Sequence, residues 1–198
     1  MNRYDWANGM DPWTASVIEG HSEAEVIRAF GGDPDHSIDT MSFAAVMDLQ
    51  LRENFHEIGI DGPAPPTQRR EDGYYLYMQT IALDRYVVVL ENNGFIGADA
   101  NLGRHLSQHG GRFFSVFWNV NAVSRIVQAI DGELIADFEP LFQHSNGYGI
   151  PTWRTDGMFP IGRVQSGMLE AMTQQTGLIF KREWLDKPLR VYRTHHRY

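Results

Sequence analysis

Apolar residues recur along this chain with two different periods, and the change of period divides it. Thr14-Ala-Ser-Val-Ile18 reads as a short strand ending at Gly20. Ser22-Glu-Ala-Glu25 has capping-box spacing: the Glu25 carboxylate can reach back to the Ser22 amide and open a helix. Val26, Ile27 and Phe30 give that helix its apolar face, and Gly31-Gly32 ends it. Phe43, Val46, Met47 and Leu51 repeat at offsets of three and four, which predicts a second core-facing helix from about Ser42 to Phe55. Pro63, Pro65 and Pro66 then mark residues 59–72 as a loop.

From Tyr74 the period is two. Tyr75, Tyr77, Gln79, Ile81 and Leu83 alternate with Leu76, Met78 and Ala82, so this strand is apolar on both faces. Asp84-Arg85 turns it into an antiparallel neighbour, Tyr86 to Glu91, which ends at the Asn92-Asn93-Gly94 turn signal. A short helix is expected at about Asn101 to Gln108, then strands at Phe113 to Val120 and Val123 to Ile130. Asp131-Gly132 is a type I′ hairpin signal leading into Glu133 to Phe138. This pattern predicts an α+β fold: a central antiparallel sheet of about five strands with helices packed on it. Residues 1–142 would form that domain. Residues 143–198, an aromatic loop, a helix at Val164 to Thr176 and a basic tail, would be an extension packed on it.

Charge adds an asymmetry that the pattern does not show. The 198 residues carry a net charge of −8, which argues against a general nucleic-acid binder. Residues 1–72 hold 14 acidic and 5 basic side chains, whereas residues 181–198 hold 6 basic and 2 acidic. Two oppositely charged surfaces would steer a basic partner to the acidic one. Alternatively, the tail folds back on the acidic third and the asymmetry vanishes. Nucleic acid is expected at most as a weak contact of the tail, 181–198. With no cysteine, disulfides, thiolate nucleophiles and cysteine-bound zinc are excluded. No apolar run approaches the roughly 20 residues of a membrane helix, and Met1-Asn-Arg-Tyr-Asp-Trp6 lacks a signal-peptide core. The expected compartment is the cytoplasm. Arginine outnumbers lysine 15 to 2, a hint of a GC-rich genome rather than of function.

Several pieces resemble an actinobacterial domain family of unknown function over about residues 13–142. They are Trp13 with Val17-Ile-Glu-Gly20, Glu25-Val-Ile-Arg-Ala-Phe-Gly-Gly32, Val87-Val-Val-Leu-Glu-Asn-Asn-Gly94, and Leu106-Ser107 before Gly110-Gly111. The most specific is Phe117-Trp-Asn-Val-Asn-Ala122, followed by Ser124-Arg125, Asp131-Gly132 and Asp137-Phe-Glu-Pro-Leu141. The resemblance implies an α+β cytoplasmic domain and a GC-rich host, and no established activity.

Catalytic signatures are missing from the sequence. His105 and His109 have metal-ligand spacing on a helix, but Leu106 stands where a zincin has its glutamate, so no metal is expected. There is no Gly-x-Ser-x-Gly elbow, P-loop or dinucleotide fingerprint, and no cofactor is expected. Two groups stand out instead. Strand parity sets Asn119 and Asn121 on one face with Phe117 and sets Trp118 on the other. With Arg125 and Glu91 these residues line a candidate polar pocket, or else form a structural network around a tight turn. Tyr148, Trp153, Arg154, Met158 and Phe159 lie in an irregular loop whose aromatic and arginine content suits a protein interface, or equally a plug on the sheet. The expected function is a non-enzymatic protein-binding domain of immunity, regulatory or defence type. A small-molecule site or cryptic enzyme at the Trp118 group is the alternative.

Overall fold

A computed structural model describes residues 2–10, 12–55, 76–141 and 151–194 of the chain. Every strand in it is antiparallel to its neighbours. The strands are β1 (Trp13–Glu19), β2 (Asp39–Met41), β3 (Leu76–Ala82), β4 (Tyr86–Asn92), β5 (Arg112–Trp118), β6 (Ser124–Ile130), β7 (Glu133–Phe138) and β8 (Leu189–Thr194). They form one sheet in the order β2-β8-β3-β4-β1-β5-β6-β7. The helices are α1 (Glu23–Ala29), α2 (Phe43–Phe55), α3 (Ala100–Leu106), α4 (Val164–Thr176) and α5 (Glu183–Asp186), with 3-10 turns at Asp5–Ala7 and Ile96–Ala98. The α+β antiparallel architecture agrees with the sequence pattern, but the sheet has eight strands, not about five.

The central strands are apolar on both faces because both faces are covered. Val17, Val88, Leu90, Phe114, Val116 and Trp118 point to the layer of α2, α4 and α5, where Met168, Leu169 and Met172 meet them. Ile18, Val87, Val89, Phe113 and Val127 point the other way, to α1, α3 and the Ile96–Ala98 turn. Trp13 is fully buried, and removing a side chain of that size from water stabilises the fold by roughly 3 kcal/mol. Its ring crosses that of Trp118, its neighbour on β5, at 4.6 Å and 81°.

Local signals hold where they are strong. The Ser22–Glu25 capping box is complete: the Ser22 amide donates to Glu25 at 2.8 Å and the Glu25 amide to Ser22 Oγ at 3.3 Å. Asp131 adopts φ 51° and Gly132 φ 80°, the double left-handed turn expected of Asp-Gly. One helical stripe needs correction. Leu51 is 44% exposed, while Gln50 is buried, so the inward residues of α2 are Phe43, Val46 and Gln50.

The C-terminal basic segment is a strand rather than a free tail. β8 lies between β2 and β3, and its arginines reach acidic residues of the N-terminal third: Arg190 to Glu23 at 2.7 Å and Arg193 to Glu53 at 2.5 Å. The two charged ends of the sequence therefore interleave. Both sheet edges are also unattractive for further strand pairing. β2 is three residues long and exposed, and β7 is interrupted by a bulge at Ile135.

Candidate functional site

The site is built where β1 begins and β4 and β5 end. Trp13 is paired with Asn92 on one side and Trp118 on the other, so the chain after Asn92 and the chain after Trp118 leave the same end of the sheet. The two connections are constructed in opposite ways.

The Asn92–Ala98 connection folds inward. Asn93 turns it with φ 53°. It then packs down on the α3 face, where the buried Glu91 carboxylate accepts the amides of Ile96 and Gly97, each at 2.8 Å. Thr14, opposite Glu91 on β1, donates its hydroxyl to the Gly94 carbonyl at 2.5 Å. The fit requires the glycines. A Cβ at Gly94 would lie 2.6 Å from Glu91 Cβ, and one at Gly97 would lie 2.9 Å from Glu91 Oε2. Burial pushes the Glu91 carboxyl up to about 7, against the two amide hydrogen bonds that favour its ionised form. Chemically, Glu91 closes a loop: its oxygens satisfy the otherwise unpaired N–H groups of the Ile96–Ala98 turn.

The Asn119–Val123 connection stands outward. Asn119 Oδ1 accepts from the amides of Asn121 at 2.9 Å and Val123 at 3.0 Å. The Asn119 amide donates to the Val123 carbonyl at 3.0 Å. Ala122 takes φ 58°, a left-handed conformation uncommon for a residue with a Cβ. The result is a rigid knob on which Val120 is 79% and Val123 46% exposed. Phe95 and Ile161 are exposed at the same end: Phe95 follows the β4 turn, and Phe159, just before Ile161, packs on Phe138 at the end of β7.

The residues of the candidate polar pocket are spread over four places. Trp118 faces the α4 layer, Glu91 is buried beneath Gly94 and Gly97, and Asn119 and Asn121 belong to the knob, because β5 stops at Trp118. Arg125 pairs with Asp137 through two hydrogen bonds of 2.6 and 2.7 Å, which raise its pKa. A small cavity of about 10 Å³, room for a single water, lies elsewhere, between β1, β5, β6 and the end of α4.

The aromatic loop is largely folded onto the sheet. Trp153 packs on Phe114 and Phe138 and donates its Nε1–H to Gln128 at 2.8 Å. Arg154 lies 4.9 Å over the Phe138 ring. Met158 and Phe159 are half-buried against the same core, and α4 approaches so closely that a Cβ at Gly167 would be 2.6 Å from the Met158 carbonyl. Tyr148 lies outside the described residues. His105 is on α3, but His109 follows the helix with φ 59°, so the two do not share a helical face. Among the described residues no three His, Asp or Glu side chains cluster as metal ligands, and no helix is long and apolar enough to cross a membrane.

What decides the family is the length of the match. A family model described as "Family of unknown function (DUF6461)" covers residues 2–152. This chain belongs to that family. No curated protein and no solved structure matches it. The DUF6461 match takes in β1 to β7 and both connections of the site, and stops before α4 and β8.

The structural network expected around a tight turn is present at Asn119, whose side chain closes the 119–123 connection, whereas Glu91 is not part of it and serves the other loop. The signal for Glu91 was present: a carboxylate at a strand end, followed three residues later by Gly94 and six later by Gly97. Strand parity does not extend past Trp118, where β5 ends and the knob begins.

Proposed function

We propose that this DUF6461 member is a non-enzymatic protein-binding domain of regulatory, immunity or defence type, and that its partner docks on the end of the sheet carrying the Val120 knob. The observation that carries the reading is the exposure of Val120, at 79%, on a loop held rigid by Asn119. An apolar side chain left 79% exposed on an ordered loop adds nothing to folding, whereas a fixed anchor loses little entropy on docking. Apolar residues clustered at one end fit a protein interface better than scattered surface exposure does. The packing of both sheet faces by helices directs the reading to an outer surface. A cytoplasmic setting in an actinobacterial host is part of this proposal; the excess of arginine over lysine supports only the GC-rich genome.

The test is photo-crosslinking in the host from an unnatural residue at position 120, beside a control at Arg112, exposed at the opposite end of β5. A single adduct from position 120 that is absent from position 112 is expected. No adduct, or the same adducts from both positions, would overturn the reading.

A further inference from the structure

Glu91 is 1% exposed, and neutral donors occupy both of its oxygens: the Ile96 amide on Oε1 and the Gly97 amide on Oε2. Among the described residues no charged group faces it. On its face of the sheet β1 presents Thr14 and Ser16, β5 presents Ser115 and Phe117, and the backbone of the Ile96–Ala98 turn lies above. The ionisable groups of the adjoining elements are directed elsewhere. Asp99 caps α3 through the Asn101 amide, Arg125 on β6 pairs with Asp137, and Arg104 and His105 lie in the last turn of α3. A carboxylate buried without a counter-ion resists ionisation, because two neutral hydrogen bonds do not replace the hydration that its charge loses.

The segment over Glu91 can lift without breaking the sheet, since residues 94–98 lie beyond the last ladder pair, Trp13 with Asn92. Its ends are fixed, by the Asn93 amide on the Pro12 carbonyl at 2.9 Å and by the Asp99 cap. Between them the two Glu91 bonds, the Thr14 bond to the Gly94 carbonyl and the burial of Ile96 and Ala98 hold it down. We propose that residues 94–98 form a proton-operated flap, closed and rigid over neutral Glu91 and lifted when Glu91 ionises, which exposes Ile96 and Ala98 at the end of the sheet that carries the Val120 knob. The proton passes to bulk water, and water replaces the two amides on the carboxylate. This motion belongs to the fold itself and does not rest on the protein-binding reading.

The experiment is amide hydrogen exchange of the full chain, followed by NMR across this pH range. The carboxyl titrates at about 7 when closed over and at 4.5 when free. Closure is therefore whole below 4.5 and is lost as pH rises through 7, with the opening constant growing about 300-fold in all. Intrinsic exchange is first order in hydroxide, so exchange of the Ile96 and Gly97 amides should approach second order inside that window and return to first order above it. A lifted flap exposes little surface, so these two amides should ignore about 1 M urea, whereas slower core amides such as those of Val17 and Val88 should exchange faster in it. Glu91→Gln cannot ionise and should show first-order exchange throughout. Should that variant not fold, the contrast between flap and core amides in the wild type still decides. First-order exchange of Ile96 and Gly97 in the wild type would overturn the inference, as would second-order exchange that survives in Glu91→Gln. So would flap amides that share the rate and urea response of the core, since the whole fold would then be opening. None of these outcomes bears on crosslinking from position 120, so the two readings fail separately.

Discussion

The Asn92–Ala98 and Asn119–Val123 connections leave the same end of the same sheet, from strands one apart, and use their side chains for opposite purposes. The first is closed from below by Glu91 and Thr14 and buries Ile96, Gly97 and Ala98. The second is closed from within by Asn119 and leaves Val120 and Val123 in solvent. Each is rigid, so rigidity alone does not distinguish scaffold from surface. The distinction lies in where the apolar atoms go: into the α3 layer in one case, outward in the other. A loop that serves the fold should therefore show its mutations in stability, and a loop that serves a partner should show them in binding.

The largest effect should come from Glu91→Ala, which leaves the amides of Ile96 and Gly97 buried without an acceptor. At pH 5 a loss of about 3 kcal/mol is expected in urea unfolding. That deficit depends on pH. Because burial raises the folded-state pKa of Glu91 to about 7 from its ordinary 4.5, ionisation opposes folding. The unfolded chain ionises first as pH rises. The Glu91 contribution to stability is thus whole below about 4.5 and falls by up to about 3 kcal/mol by the time pH passes 7. The gap between wild type and Glu91→Ala should narrow over that window. A gap that widens with pH would show the ionised form to be the stabilising one.

Gly97→Ala comes next. Its new Cβ would lie 2.9 Å from Glu91 Oε2 and 3.0 Å from Thr14 Cγ2, and overpacking of this kind costs about 2 kcal/mol. A smaller change, about 1 kcal/mol, is expected for Asn119→Ala, which removes the acceptor for two exposed amides. This variant should also lose partner binding, since Val120 would no longer be held. Unchanged binding with the expected loss of stability would separate the knob's shape from its function.

Much of this arrangement was legible because local rules govern it. The Ser22–Glu25 box, the Asp131-Gly132 hairpin and α4, found at Val164–Thr176 as expected, depend on neighbours in sequence. β2 and β8 were not legible. β2 has three residues and no period to read, and in β8 Arg190 and Arg193 interrupt the apolar pattern while pairing with Glu23 and Glu53, more than 100 residues away in the chain. The charge asymmetry allows for a tail folded back on the acidic third, as found, but not for the strand position by which it gets there. Glu91 looked like an ordinary strand-end carboxylate because its burial is created by a loop folding back over it. For Asn119 the turn chemistry of Asn-Val-Asn-Ala is the signal that holds, while strand alternation is not, because β5 stops at Trp118.

The most direct measurement is partner retention by Val120→Asp, made on protein whose urea midpoint has been compared with that of the wild type. With Val120 79% exposed, the substitution should leave stability within about 0.5 kcal/mol. The partner crosslinked from position 120 should then be lost from this well-folded variant. Full retention of that partner at unchanged stability would contradict the protein-binding reading.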